Sequence, residues 1–349
     1  MSDSRRTYRA IQTKLVQLRG YPSGRALQRT AVLAAFITGI VRSKSTQGRK
    51  VAEQSGMRSK VESRVKQLER WYSNQNVSYE LDYLPYVSHL LDGLSDAPLV
   101  LAIDGSEIGR GCMALMINLI YEKRSIPLVW VVFQRPKGHA SADEHIRLIE
   151  QVLKILPEEQ KIVFLGDGEF DSVELQQRIQ SIEGWDYVCR TAKNIIVHSE
   201  GERFPLEEVS VLPDMMLSLP LVFVTKEAFG PVHLAAVWDQ ENEEPLYLVT
   251  SFELAEEAHY WYQRRMRIET FFSDQKSRGF GLHKCHVSDP VRLARILIAA
   301  SLTYLWMIYL GVHAHLNKMV SIIHRTDRCD LSLFQLGLAL LQHFLDESM

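Results

Sequence analysis

Apolar residues recur at helical spacing through the first 95 positions, and from Ala97 they give way to short continuous apolar runs. The helical part contains Thr7–Arg19, Ala31–Val41 and Val51–Tyr72, punctuated by Gly20, Pro22, Gly24 and Gly56. A strand is expected over Pro98–Ile103, ending at Asp104. Cys112–Tyr121 and Ile126–Phe133 read as a hairpin joined by the polar turn Glu122–Ser125. Ser141–Leu156 returns to helical periodicity, with Ile146, Ile149, Val152, Leu153 and Leu156 on one face. Lys161–Leu165 then forms a buried strand ending at Asp167, Ser172–Ile182 a helix and Asp186–Arg190 a strand. The product is a mixed α/β sheet with two aspartates at strand ends.

Residues 195–252 break this rhythm. Leu221–Thr225, Val232–Trp238 and Leu246–Phe252 alternate between Pro, Gly and acidic turns, the pattern of a β-rich insertion. Helix resumes from Glu253 towards Gly279. It starts again at Pro290 behind a capping Asp289 and runs to the C-terminus with a break near Thr326–Asp330. The chain of 349 residues thus divides into 1–95, an all-α unit, 96–194, the first part of an α/β core, 195–252, the β-rich insertion, 253–289, a helix completing the core, and 290–349, C-terminal helices.

Charge sharpens this division. The net charge is only −2, yet residues 1–70 hold 16 Lys and Arg against four acidic residues, a net +12 that leaves −14 on the rest. A basic head on an acidic body suits a polyanion at the head and a cation in the body. Ala52 and Gly56 stand four apart, as the helix-to-turn step of a helix-turn-helix requires. The following helix carries Arg58, Lys60, Arg64 and Lys66, which become the candidate DNA-binding residues.

Four dispersed cysteines without any C-x-x-C fit a reducing cytoplasm. The basic N-terminus has no apolar run near its start, so no signal peptide is expected. The uncharged stretch Ile296–Val312 is about 17 residues long, at the lower edge for a membrane span, and reads as a buried core helix.

Asp104 and Asp167 each follow an apolar strand. Carboxylates at neighbouring strand ends meet at one sheet edge, where Mg²⁺ can be held by few protein ligands plus water and phosphate oxygens. Between Tyr262 and Lys276, Tyr262, Arg265, Glu269 and Lys276 fall at i, i+3, i+7 and i+14, so one helical face offers a phenol, a guanidinium, a carboxylate and an ammonium. A carboxylate flanked by cations is what a phosphodiester site needs. An exposed Arg265–Glu269 ion pair is the plainer alternative for the same spacing. Glu107, Glu169, Asp171 and Asp274 neighbour these positions but read as turn, cap or far-face residues. In His283-Lys284-Cys285-His286 three ligands within four residues rarely close a zinc tetrahedron.

These residues carry a resemblance. Y-x2-R-x3-E-x6-K, with Tyr262, Arg265, Glu269 and Lys276, resembles the YREK signature of the bacterial cut-and-paste DDE transposases of the insertion-sequence-four family. AIDGSEI around Asp104 and FLGDGEF around Asp167 resemble that family's two aspartate motifs. The resemblance implies a ribonuclease-H-like mixed-sheet core in which Asp104, Asp167 and Glu269 are catalytic and hold two Mg²⁺ ions, with Mn²⁺ able to substitute. It also implies that Tyr262, Arg265 and Lys276 bind DNA phosphates, and that an aromatic residue of the insertion stacks on a flipped base. Trp238 is the candidate for that stacking. The implied partners are double-stranded DNA at terminal inverted repeats, target DNA and a second copy of the chain in a synaptic homodimer. No membrane is implied, and the setting is a bacterial cytoplasm at the nucleoid. Hairpin formation on the way to strand transfer would follow.

Three other readings compete. Gly166–Asp171 matches the acidic loop G-D-G-x-x-D of haloacid-dehalogenase-like phosphatases, but their nucleophilic aspartate would here be Ala102. A transposase-derived DNA-binding protein that has lost catalysis, and a structure-specific nuclease on the same core, remain as alternatives.

Overall fold

Why a chain with so modest a charge buries so long a sheet is answered by its first three strands. In the computed structural model, which describes residues 2–94, 98–138, 140–157, 160–239, 243–325 and 329–347, β1 (Leu99–Gly109), β2 (Cys112–Tyr121) and β3 (Arg124–Phe133) form an antiparallel meander. Nearly every residue of β1 and β2 is buried, whichever way its side chain alternates, so helices cover both faces of the sheet. α7 (Ala142–Leu153) leads to β4 (Ile162–Gly166), which pairs parallel with β1, and α8 (Val173–Gln180) leads to β5 (Trp185–Arg190), parallel with β4. Ser141 caps α7 in a capping box with Glu144, and Ser172 caps α8 through Leu175 N. Ser172, and neither Glu169 nor Asp171, is therefore the cap of that helix.

Asp104 does not end its strand. β1 continues to Gly109, so Asp104 and Glu107 both lie within it, opposite Met116 and Met113. What ends near Asp104 is its parallel neighbour: β1 and β4 last pair at Ala102 and Leu165. The antiparallel hairpin continues alone beyond that point, because β2 still supplies hydrogen bonds.

The residue 195–252 region is not a separate sheet. β6 (Ile196–Ser199), β7 (Glu202–Pro205), β8 (Met215–Val224), β9 (Phe229–Trp238) and β10 (Leu246–Thr250) join the core through antiparallel pairing of β10 with β5. The result is one ten-stranded sheet in the order β3-β2-β1-β4-β5-β10-β9-β8-β6-β7. Two of these strands, β6 and β7, are too short and too polar to stand out in the sequence.

The N-terminal unit consists of α1 (Asp3–Leu18), α2 (Gly24–Ser43), α3 (Gly48–Gln54), α4 (Val61–Ser73), α5 (Tyr79–Asp82) and α6 (Leu84–Leu91). The helical segment expected over 51–72 is two helices, α3 and α4, separated by a turn at Gly56 as its helix-turn-helix spacing predicts. Gly56 in that turn has φ +74, and a Cβ there would overlap Ser4 O and sit 2.7 Å from Tyr8 Cβ, so the crossing of α1 over the turn requires glycine. Buried Asp82 holds the bundle together by pairing with Arg19 at 2.8 Å and Arg29 at 3.6 Å. The expected boundary between positions 95 and 96 lies outside the described residues.

α9 (Ala255–Tyr262) and α10 (Arg267–Gln275) are separated by a 3-10 turn, Gln263–Met266, so the expected continuous helix from Tyr262 to Lys276 is interrupted. α11 (Pro290–Leu316) starts at Pro290, with Asp289 Oδ1 accepting from Arg292 N at 2.8 Å. α11 is the one helix among the described residues long and apolar enough to cross a membrane, and 61% of its apolar window is buried against its own protein. It packs on α2, β3 and α13 (Leu333–Asp346), after the short α12 (Val320–Ile323). Positions 326–328 of the expected break lie outside the described residues.

Candidate active site

The meander runs out, back and out again, so β3 ends at the same sheet edge as β1; the parallel strands β4 and β5 end there too. Asp104 is on β1 at that edge, Asp167 directly follows β4, and Arg190 ends β5. The chain leaving β3 contributes Lys137. Asp104 is 3% exposed, and its Oδ1 accepts from Gly105 N at 2.7 Å and from Lys137 Nζ at 2.8 Å. Burial pushes the Asp104 carboxyl above its ordinary value against the pull of Lys137, and the charge of Asp167 adds to the rise. Asp167 Oδ1 accepts from Glu169 N at 3.0 Å, which forms the turn after β4.

The interrupted helix brings its four residues to this edge. Burial raises the Tyr262 phenol, while Arg265 and Arg190 pull it down and Asp167 pushes it up, so Tyr262 stands among all three. Arg265 lies between two carboxylates: its Nη1 is 3.7 Å from Asp104 Oδ2 and its Nη2 is 2.8 Å from Glu269 Oε1. The i,i+4 ion pair and the link to the aspartates are therefore the same guanidinium. Lys276 is lowered by burial, held up by the charges of Glu107 and Asp104, and repelled by Lys137.

Asp104, Asp167, Tyr262, Arg265, Glu269 and Lys276 thus converge. Glu269 reaches the aspartates only through Arg265, and among the described residues no three acidic, His or Cys groups gather tightly enough to hold an ion. Asp104 and Asp167 nonetheless fit a hard divalent cation, because Mg²⁺ takes one or two carboxylates and completes its shell with water and phosphate oxygens.

Several residues of the site carried no motif. Lys137 was detectable only from topology, since the third strand of a meander must end beside the first. Arg190 follows from the parallel pairing of β5. Glu169, whose N–H closes the turn after β4, is raised by burial and by the charge of Asp167, so it stands beside the site as well as in the turn. His145 on α7 is pushed down to about 4 by burial and lies neutral against the Phe170 ring, centroids 4.7 Å apart.

Trp238 ends β9, half-buried. Because β9 and β10 alternate in direction from β5, Trp238 lies on the sheet edge that holds Asp167, three strands away, or roughly 15 Å at ~4.8 Å per strand. In the N-terminal unit Arg58, Lys60 and Lys66 are exposed. Arg64 is not free for a ligand: its Nε donates to Ser59 O at 2.6 Å and its Nη1 to Ala52 O at 3.0 Å, tying the turn to α3. Arg5 and Arg9 of α1 join Arg58 around one cleft. Arg5 is lowered by desolvation and by the like charges of its two neighbours.

A ten-stranded mixed sheet with helices on both faces and an acidic pair at one edge is a ribonuclease-H-like fold. The match of residues 97–306 to the transposase DDE domain places the chain in that family, to which it belongs. Among solved structures, a cryo-EM structure of the piggyBac transposase synaptic complex with hairpin DNA is similar at a TM-score of 0.50 and 12% identity. The alignment covers 100% of this chain and 82% of that one, a likeness of fold. No curated protein matches the chain.

Proposed function

We propose that the chain is a cut-and-paste DNA transposase of the insertion-sequence-four type, cleaving double-stranded DNA at the terminal inverted repeats of an element and joining the ends to target DNA. The observation that carries this reading is the meeting of Tyr262, Arg265, Glu269 and Lys276 with Asp104 and Asp167 at one sheet edge. Lys137 and Arg190 add positive charge at the same place.

Asp104 and Asp167, with Glu269 as third carboxylate, would hold Mg²⁺, two ions in the full site, or Mn²⁺ in its place. Bound there, the metal supplies a water of lowered pKa and stabilisation of the leaving oxygen. The chain's own residues do the positioning. Tyr262 and Arg265 would hold a phosphate of one strand and Lys276 a phosphate near the element end, each by charge-assisted hydrogen bonds. The guanidinium of Arg265 also orients Glu269. Hydrolysis would free a 3′-hydroxyl at the element end; attack of that hydroxyl on the phosphorus of the opposite strand would form a new phosphodiester that closes a hairpin and would expel the flanking strand's 3′-oxygen as its hydroxyl. Trp238 would then stack on the base displaced at the hairpin tip.

The unit 1–95 would bind the element end through Arg58, Lys60 and Lys66; Arg64, expected to join them, supports the turn instead. Residues 96–194 and 253–289 would form the catalytic core, 195–252 the insertion, and 290–349 the helices that cover the core and supply the contact of a homodimer holding two ends.

The test is strand cleavage of DNA carrying the gene's own flanking sequences, by wild type with Mg²⁺, with EDTA, and by Asp167→Asn. Metal-dependent cleavage at both ends that disappears in the variant is expected, and hairpin product would define the pathway. End binding without cleavage would instead favour a DNA-binding protein that has lost catalysis, and cuts set by branch structure in place of end sequence would favour a nuclease.

A further inference from the structure

The C-terminal end of α10 meets the N-terminal bundle at a joint. Gln47 Nε2 donates to Lys284 O at 3.2 Å, and Thr46 Oγ1 donates to Gly281 O at 3.5 Å. Between the two segments lies a cavity of about 170 Å³ whose walls include Lys44, Lys50, Lys276, His283 and Lys284 and no carboxylate. None of these four lysines is in an ion pair among the described residues.

Such a gathering is unfavourable by itself. Like charges a few ångströms apart repel, and the usual remedy is an interleaved Asp or Glu. Here the backbone holds the cations in place. Lys44 closes α2 in the left-handed region at φ +48, a conformation few non-glycine residues adopt, with its N–H on Ile40 O. Gly281 turns the opposite segment at φ +60. A cavity walled by lysines and no carboxylate is one an anionic ligand would complete.

Size and position select the ligand. The cavity is too small for a base and sugar, given that sites for drug-sized ligands start at roughly 300 Å³. It suits the oxygens of one or two phosphates. Lys276 belongs both to this cavity and to the acidic edge, where it neighbours Asp104 and Lys137.

We propose that this joint is a phosphate clamp that carries the backbone of duplex DNA from the acidic edge onto the N-terminal bundle. The proposal rests on the reading of the chain as a DNA-processing enzyme. It gives His283 and Lys284 a role in gripping DNA, in place of the zinc chemistry that their spacing fails to support.

The experiment measures the salt dependence of binding of the full chain to a labelled duplex, both of arbitrary sequence and with the gene's flanking ends. Wild type is compared with Lys44→Ala/Lys50→Ala/Lys284→Ala and with a control that removes as many charges elsewhere, Lys154→Ala/Lys161→Ala/Lys226→Ala. Each lost phosphate contact lowers the log–log salt slope by about 0.9, so the clamp variant is expected to lose roughly 2–3 in slope and the control less than about 1. A thermal melt at or above that of wild type would show that the clamp variant is folded, as removal of mutually repelling charges predicts. Equal slopes for clamp and control variants, with wild-type cleavage intact, would overturn the clamp and leave the transposase reading standing. Wild type that binds no duplex at low salt would overturn both.

Discussion

Lys137 Nζ lies 2.8 Å from Asp104 Oδ1, and this pair ties the chain leaving β3 to the middle of β1. The carboxylate is buried, whereas the lysine side chain is 46% exposed, so solvent screens part of the attraction. A double-mutant cycle with Lys137→Met and Asp104→Asn, read by chemical denaturation, should give a coupling energy of about 1–2 kcal/mol. Additive effects of the two substitutions would show that the pair contributes nothing to the folded state.

Arg265 holds Glu269 and reaches Asp104, so its charge and its fork geometry are separable. Glu269→Gln should abolish strand cleavage, a loss of at least about 10³-fold if it removes a transition-state contact, while DNA affinity changes by less than about threefold. Arg265→Lys keeps the charge but cannot bridge two carboxylates bidentately, and should lose most of the rate as well. Parallel losses of affinity and rate in either variant would move these residues from chemistry to binding.

Much of this arrangement is legible in the sequence, because its signals are local. Asp104 and Asp167 follow apolar runs whose length marks them as buried strands, and Tyr262, Arg265, Glu269 and Lys276 still reach one sheet edge although the 3-10 turn advances ~20° more per residue than an α-helix over its four residues. What was illegible depends on pairing across the sheet. Asp104 sits within β1 because β2 continues past β4, a fact of register that no window of sequence contains. Lys137 and Arg190 required the strand order. Arg64 looked like its basic neighbours until its hydrogen bonds to Ala52 O and Ser59 O set it apart.

Asp274, at the end of α10, is 2% exposed, and burial pushes its carboxyl up to about 6 despite Arg124 and Arg278. Unfolded, it would titrate near ~3.9. Between these values the unfolded chain has released a proton that the folded chain keeps, so this group makes stability fall as pH rises from about 4 to 6. At ~1.36 kcal/mol per unit the fall amounts to roughly 3 kcal/mol. Asp274→Asn should remove this slope whatever its fixed cost from leaving Arg124, 3.7 Å away, without its partner. Denaturation midpoints at pH 4, 5, 6 and 7 would test it, and identical pH profiles for variant and wild type would refute the assignment.

α11 and α13 cross where each presents a glycine to the other's backbone. A Cβ at Gly311 would overlap Leu333 O, and one at Gly337 would overlap Met307 O. Neither atom can swing away as a side-chain end could, so the helices must separate. Gly311→Ala and Gly337→Ala should therefore each cost about 1–3 kcal/mol, in the range for overpacked sites, although alanine has the higher helix propensity. Because one separation relieves both overlaps, the double variant should cost clearly less than the sum. α11 also packs on α2 and β3, so the crossing anchors the helix that joins the N-terminal bundle to the sheet. Thermal or chemical melts of the three variants decide the matter. A stabilised Gly311→Ala would refute the backbone-to-backbone contact at this crossing.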